Sequence, residues 1–114
     1  MEPKQAPEFN RVRVSGRLQN MRQRWTSDGS LALIAELATT RPKLGPVAAK
    51  VQNEQPMPLR AEGKTAEALL TLENQRIMLE GCLRRRYYSR DGNPCWGQVE
   101  IWVDTCQKLE STPE

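Results

Sequence analysis

Nine arginines of this 114-residue chain stand in two short stretches, each beside aromatic rings. Arg11, Arg13, Arg17, Arg22 and Arg24 occur with no acid between Asn10 and Ser27, and Trp25 follows the last of them. Arg84, Arg85, Arg86 and Arg90 enclose Tyr87 and Tyr88, and Trp96 lies just beyond a turn. A guanidinium matches phosphate through a planar fork of donors and stacks on rings, so an excess of Arg over Lys, 12 to 5, suits nucleic acid better than a generic cationic surface would. Single-strand binders combine a cationic groove for the backbone with aromatic faces on which bases stack, worth ~1–3 kcal/mol per base. The competing reading is an ordinary solvated surface with aromatics capping a core.

Other chemistry is poorly supported. With no histidine, triads, His-ligated zinc and histidine pH switches are excluded, and nothing activates the Ser, Thr or Cys side chains. Cys82, Cys95 and Cys106 form no C-x-x-C pair, so neither a zinc ribbon nor a disulfide framework is suggested; reduced structural thiols are expected. Gly63-Lys64-Thr65 resembles the end of a phosphate-binding loop, but the leading glycine would fall on Pro58 and the motif fails. No catalytic residue, cofactor or metal is expected. The longest apolar run, Leu31 to Ala35, is far too short to cross a bilayer, and the N-terminal residues do not read as a secretory signal; a cytoplasmic, nucleoid-associated protein without membrane contact is expected.

The elements that must carry the two clusters follow from periodicity. Val12, Val14, Gly16 and Leu18 alternate with Arg11, Arg13, Ser15 and Arg17, which predicts a half-buried strand with arginines outward. Gly16 is expected to mark a bulge or bend that lets one long strand serve two sheets. Asp28-Gly29 is a hairpin turn leading to a second strand over 31–40, with Leu31, Leu33, Ala35 and Leu37 on one face. The proline-rich 41–58 segment reads as a long loop, followed by a short third strand over 57–62. Ala66, Leu69 and Leu70 give one stripe of a short helix within 64–72. A fourth strand over about 75–88 and a fifth over 97–105 flank a turn at 90–94. The fifth sets Val99, Ile101 and Val103 on one face, with Glu100, Trp102 and Asp104 on the other, where Trp102 is expected to pack in a subunit interface. This order predicts an all-β fold: a five-stranded Greek-key barrel of the oligonucleotide-binding (OB) type with one short helix between strands 3 and 4. Residues 10–109 form the domain, with 1–9 and 110–114 as tails.

The stretch Asn10-Arg11-Val12-Arg13-Val14-Ser15-Gly16-Arg17-Leu18 resembles the opening strand of bacterial single-stranded DNA-binding proteins. Gly63-Lys64-Thr65-Ala66-Glu67 and Ile77-Met78-Leu79-Glu80-Gly81-Cys82-Leu83-Arg84 are similar to that family's helix and fourth strand, and Leu37-Ala38-Thr39 to the close of its second. The resemblance spans 10–109, weakly across 41–62. It implies that Tyr88 replaces a stacking tryptophan and that Trp25 occupies an aromatic position in the first loop. Other stacking positions fall on Lys43, Pro56 and Glu62, and the family's acidic tail has no counterpart in Ser111-Thr112-Pro113-Glu114. Those departures are similar to the primosomal PriB-type proteins of replication restart, which pair as dimers and use basic loop residues.

The expected function is non-enzymatic single-stranded DNA binding in replication, replication restart or repair. The expected site is Arg11, Arg13, Arg17, Arg22, Arg24, Trp25, Arg84, Arg85, Arg86, Tyr87, Tyr88, Arg90 and Trp96. RNA would satisfy the same contacts. A homodimer or homotetramer and replication-protein partners are implied by the resemblance. The alternative is a barrel that recruits another protein, with DNA binding weak or lost and the 41–58 loop as docking element.

Overall fold

A computed structural model describes residues 8–45 and 53–110. Its elements run β1 (Val12–Trp25), β2 (Leu31–Thr40), β3 (Glu54–Glu62), α1 (Gly63–Leu70), β4 (Arg76–Arg90) and β5 (Asn93–Lys108). The strands close into one barrel in the order β1-β2-β3-β5-β4, with β3 and β5 parallel and every other pair antiparallel. Five closed strands with one short helix between the third and fourth are the OB architecture that the sequence order predicts. Closure removes the open edges of a small sheet.

Closure depends on β1 serving two neighbours. Residues Val12–Arg17 pair with β4, and Arg17–Trp25 pair with β2, so Arg17 lies opposite both Ala38 and Arg76. The division falls where the sequence placed it, but the bulge does not fall at Gly16. An extra residue is inserted between Gln19 and Arg22, where Asn20 adopts φ +55° and its amide donates to Glu36 Oε1 at 2.6 Å. Asn is the side chain best suited, after Gly, to that left-handed conformation. Gly16 answers a different need: a Cβ there would lie 2.4 Å from the carbonyl oxygen of Ala38, so the strands meet only without one.

The core is aliphatic. Leu18, Leu33, Leu37, Leu59, Ile77, Leu79, Ile101 and Val103 point inward from all five strands, each at most 3% exposed. Ala66 and Leu69 of α1 are fully buried beside them, with Leu70 packed on the margin. Burying one such side chain contributes ~1.5–3 kcal/mol. The helix ends two residues earlier than predicted. Thr71 and Leu72 turn back onto the carbonyls of Ala68 and Leu69, and Asn74 at φ +62° redirects the chain into β4.

Strand lengths differ most where prolines and turn residues dominated the sequence. β3 begins at Glu54, inside the proposed loop, and pairs with β2 along its length; Pro56 and Pro58 are accommodated because β3 meets β5 only at Leu59 and Arg60. Residues 46–52 of that loop lie outside the described residues. β5 begins at Asn93, so the turn shrinks to Asp91-Gly92, both with positive φ. Residues 85–90 and 93–99 pair only with each other, forming a ribbon that extends beyond the barrel. Among the described residues, no helix is long and apolar enough to cross a membrane.

Candidate nucleic-acid interface

Residues directly opposite each other in a ladder share a face. Arg22 lies opposite Ile34, Ile34 opposite Arg60, and Arg60 opposite Trp102, which places one row of side chains across the outside of β1, β2, β3 and β5. Glu36 and Pro58 form the next pair along. Two adjoining depressions cover this face and share Ile34, Pro58 and Gln98. One, of about 410 Å³, reaches Asn20, Arg22 and Glu36; the other, of about 230 Å³, reaches Arg60, Arg86, Tyr88, Gly97 and Glu100. Together they make a groove over β2 and β3, bounded by β1 on one side and by the β4–β5 ribbon on the other.

The groove brings together Arg22, Arg86 and Tyr88 from the two sequence clusters. Arg24, opposite Ala32, stands one step further along the same face, and half-buried Arg17 opposes Ala38. The period-two backbone splits the second cluster between two sides of the ribbon. Arg84, Arg86 and Tyr88 face the groove side. Arg85, Tyr87 and Trp96 face the other, where Tyr87 and Trp96 pack edge to face with centroids 4.9 Å apart. Arg85 Nε donates to the Gly97 carbonyl at 2.7 Å, and its guanidinium is 5.8 Å from the Trp96 ring centre. Leu83 and Val99 lie on that second side, 43% and 46% exposed. Val99, expected with the core-facing residues, projects from the ribbon instead. Trp25, 72% exposed, opposes inward Leu31 and lines neither depression, while Arg90 lies at the ribbon's tip.

Several expected phosphate contacts are engaged within the chain. Arg11 bonds Asp104, a hydrogen bond that raises the arginine pKa still further; Arg13 Nε lies 3.4 Å from Glu80 Oε1. The pairing of Arg84 is the most enclosed. Its Nε and Nη2 both donate to Glu100 Oε1, at 3.3 and 3.0 Å, and its guanidinium carbon sits 4.3 Å over the Trp102 ring. Glu100 was expected on an exposed face, yet its side chain is only 8% exposed because Arg84 and Arg60 cover it. Trp102 is accordingly half-buried under Arg84 within this chain. Two guanidiniums facing one carboxylate leave the groove floor net positive, and a buried carboxylate requires such partners.

Ile34, Pro58, Arg60 and Gln98 were absent from the sequence-derived site. Arg60 stands between inward-facing Leu59 and Ala61, so the alternation of β3 points it outward. Gln98 follows Glu100 and Trp102 on the outer face of β5, at a bulge where β5 carries one more residue than β4 between the Arg85–Val99 and Tyr87–Trp96 pairs. That bulge brings Gly97 against Arg86 and Tyr88, with a hypothetical Cβ 3.6–3.8 Å from their atoms. The chain matches no known protein-family model, and no curated protein matches it.

Proposed function

We propose that this protein binds single-stranded DNA along the β2–β3 groove, in replication, replication restart or repair, without catalysing a reaction. The observation that carries this reading is the convergence of Arg22, Arg86 and Tyr88 from elements distant in sequence onto one groove with an apolar Ile34–Pro58 floor. The backbone would follow Arg22, Arg24 and Arg86, with Arg17 and Arg90 beyond the two ends; a base would stack on Tyr88, 41% exposed. Arg11, Arg13 and Arg84 serve chiefly in ion pairs. The resemblance to bacterial single-stranded DNA-binding and PriB-type proteins supports the same reading, and with it a cytoplasmic homodimer or homotetramer working beside replication proteins.

Anisotropy of a labelled oligo-dT strand is the appropriate test, because Trp25 and Trp96 lie outside the groove and Trp102 lies under Arg84. Binding at low salt that weakens as salt rises is expected; no binding at low salt would remove the function. A second reading, recruitment of a protein partner, is favoured by the exposed apolar side of the ribbon, where Leu83, Tyr87, Trp96 and Val99 stand together. Substituting Tyr87 and Trp96 by Ser would abolish partner capture while sparing DNA affinity under that reading.

A further inference from the structure

The smaller depression is built differently from the rest of the groove. At about 230 Å³ it falls below the ~300–1,000 Å³ of pockets that enclose drug-sized ligands, which suits a single ring system. Its walls are the Tyr88 ring, Pro58, Ile34 and the side-chain-free surface of Gly97. At one end stands a polar pair with unused bonding capacity. Arg60 Nε is buried and donates to nothing among the described residues, since Glu100 Oε1 is 3.4 Å away and already accepts from Arg84. Glu100 Oε2 accepts no hydrogen bond among the described residues. A buried donor left unmade costs free energy, and a ligand supplying its acceptor recovers it.

Resting on the reading of the groove as a single-strand site, we propose that this depression receives one guanine base and gives the protein a sequence preference. Bases taken from a strand into a pocket are read by stacking and by hydrogen bonds to their edges. Tyr88 supplies the stack. A guanidinium pairs best with an edge carrying two acceptors, and guanine O6 and N7 form such an edge. Guanine also carries an N1–H donor beside O6, which matches the free carboxylate oxygen. Adenine has N7 next to a donor, thymine's two acceptors are separated by its N3–H, and cytosine, whose adjacent O2 and N3 could meet the fork, presents a smaller ring to Tyr88. Gly97 keeps the depression open.

The test is competition anisotropy with four dT strands that differ only at one central position, dG, dA, dC or dT, in lithium buffer to prevent guanine self-association. The dG strand is expected to compete about tenfold better than the others. Replacing that base by 7-deazaguanine, which lacks the N7 acceptor, is expected to remove most of the advantage without touching the protein. Gly97→Val, which fills the depression, is expected to bring the dG-to-dT ratio close to one. Equal competition by all four strands overturns the guanine pocket and leaves single-strand binding standing; absence of binding by any strand overturns both. A full advantage kept by the 7-deazaguanine strand overturns the assigned contact.

Discussion

Arg84 donates two hydrogen bonds to Glu100 Oε1, at 3.3 and 3.0 Å, while its guanidinium carbon sits 4.3 Å over the Trp102 ring. The arginine thereby neutralises a carboxylate that the fold has placed under cover. Arg84→Ala leaves Glu100 with Arg60 alone, at 3.4 Å, and is expected to cost about 1–3 kcal/mol of stability, toward the lower end because Arg84 is itself 39% exposed. Urea denaturation checks this; an unchanged midpoint would show that the pair is solvated and unimportant.

The ribbon separates two neighbouring tyrosines. Tyr88→Ala is expected to lose the stacking of one base, ~1–3 kcal/mol, whereas Tyr87→Ala, on the ribbon's other side, is expected to weaken DNA binding several-fold less. Equal losses for the two variants would place the strand elsewhere.

Gly81 stands where β5 carries an extra residue, Asp104, and a Cβ on it would lie 1.9 Å from the Trp102 carbonyl oxygen. Backbone, unlike a side-chain tip, cannot step aside cheaply. Gly81→Ala is expected to destabilise by about 1–3 kcal/mol or more, read from thermal or urea unfolding. Full stability would mean that the two strands are further apart.

In the β1–β2 turn, hydrogen bonds from the Thr26 hydroxyl and the Ser30 N–H hold the Asp28 carboxyl below its usual range. With its folded value below the unfolded one, Asp28 stabilises the protein above the unfolded value, and that contribution is lost as pH falls through the folded one. Wild type should therefore exceed Asp28→Asn in melting temperature near neutrality, and the gap should close in acid. A gap independent of pH would contradict this.

The barrel was legible because its signals are periodic. Val12, Val14, Gly16 and Leu18 in β1 alternate with polar residues, Leu31, Leu33, Ala35 and Leu37 fall on one face of β2, and Ala66 with Leu69 marks the buried side of α1. Residues whose direction depends on inserted residues were not legible. The extra residue at Gly97–Gln98 shifts the phase of β5 beyond it, so Trp96 falls on the side of Val99 and away from the groove, while Val99 keeps the phase of Ile101 and is exposed because the ribbon has left the barrel. Charge clustering singled out Arg22 and Arg86, which the fold brings to one groove, but linear spacing carried no information that Arg11 would meet Asp104, 93 positions away, or that Arg84 would meet Glu100. Those pairings depend on which strands lie side by side.

A single strand running past Arg22 and Arg86 would show itself in the salt dependence of oligo-dT affinity. The logarithm of affinity should fall linearly with the logarithm of salt concentration, losing about 0.7 from the slope for each phosphate contact removed. Arg22→Ala and Arg86→Ala should each flatten the line by about that amount, and Arg13→Ala, whose guanidinium already faces Glu80, should leave the slope near that of wild type. A slope that responds to Arg13 and not to Arg22 or Arg86, or no binding at low salt, would rule out a strand in this groove.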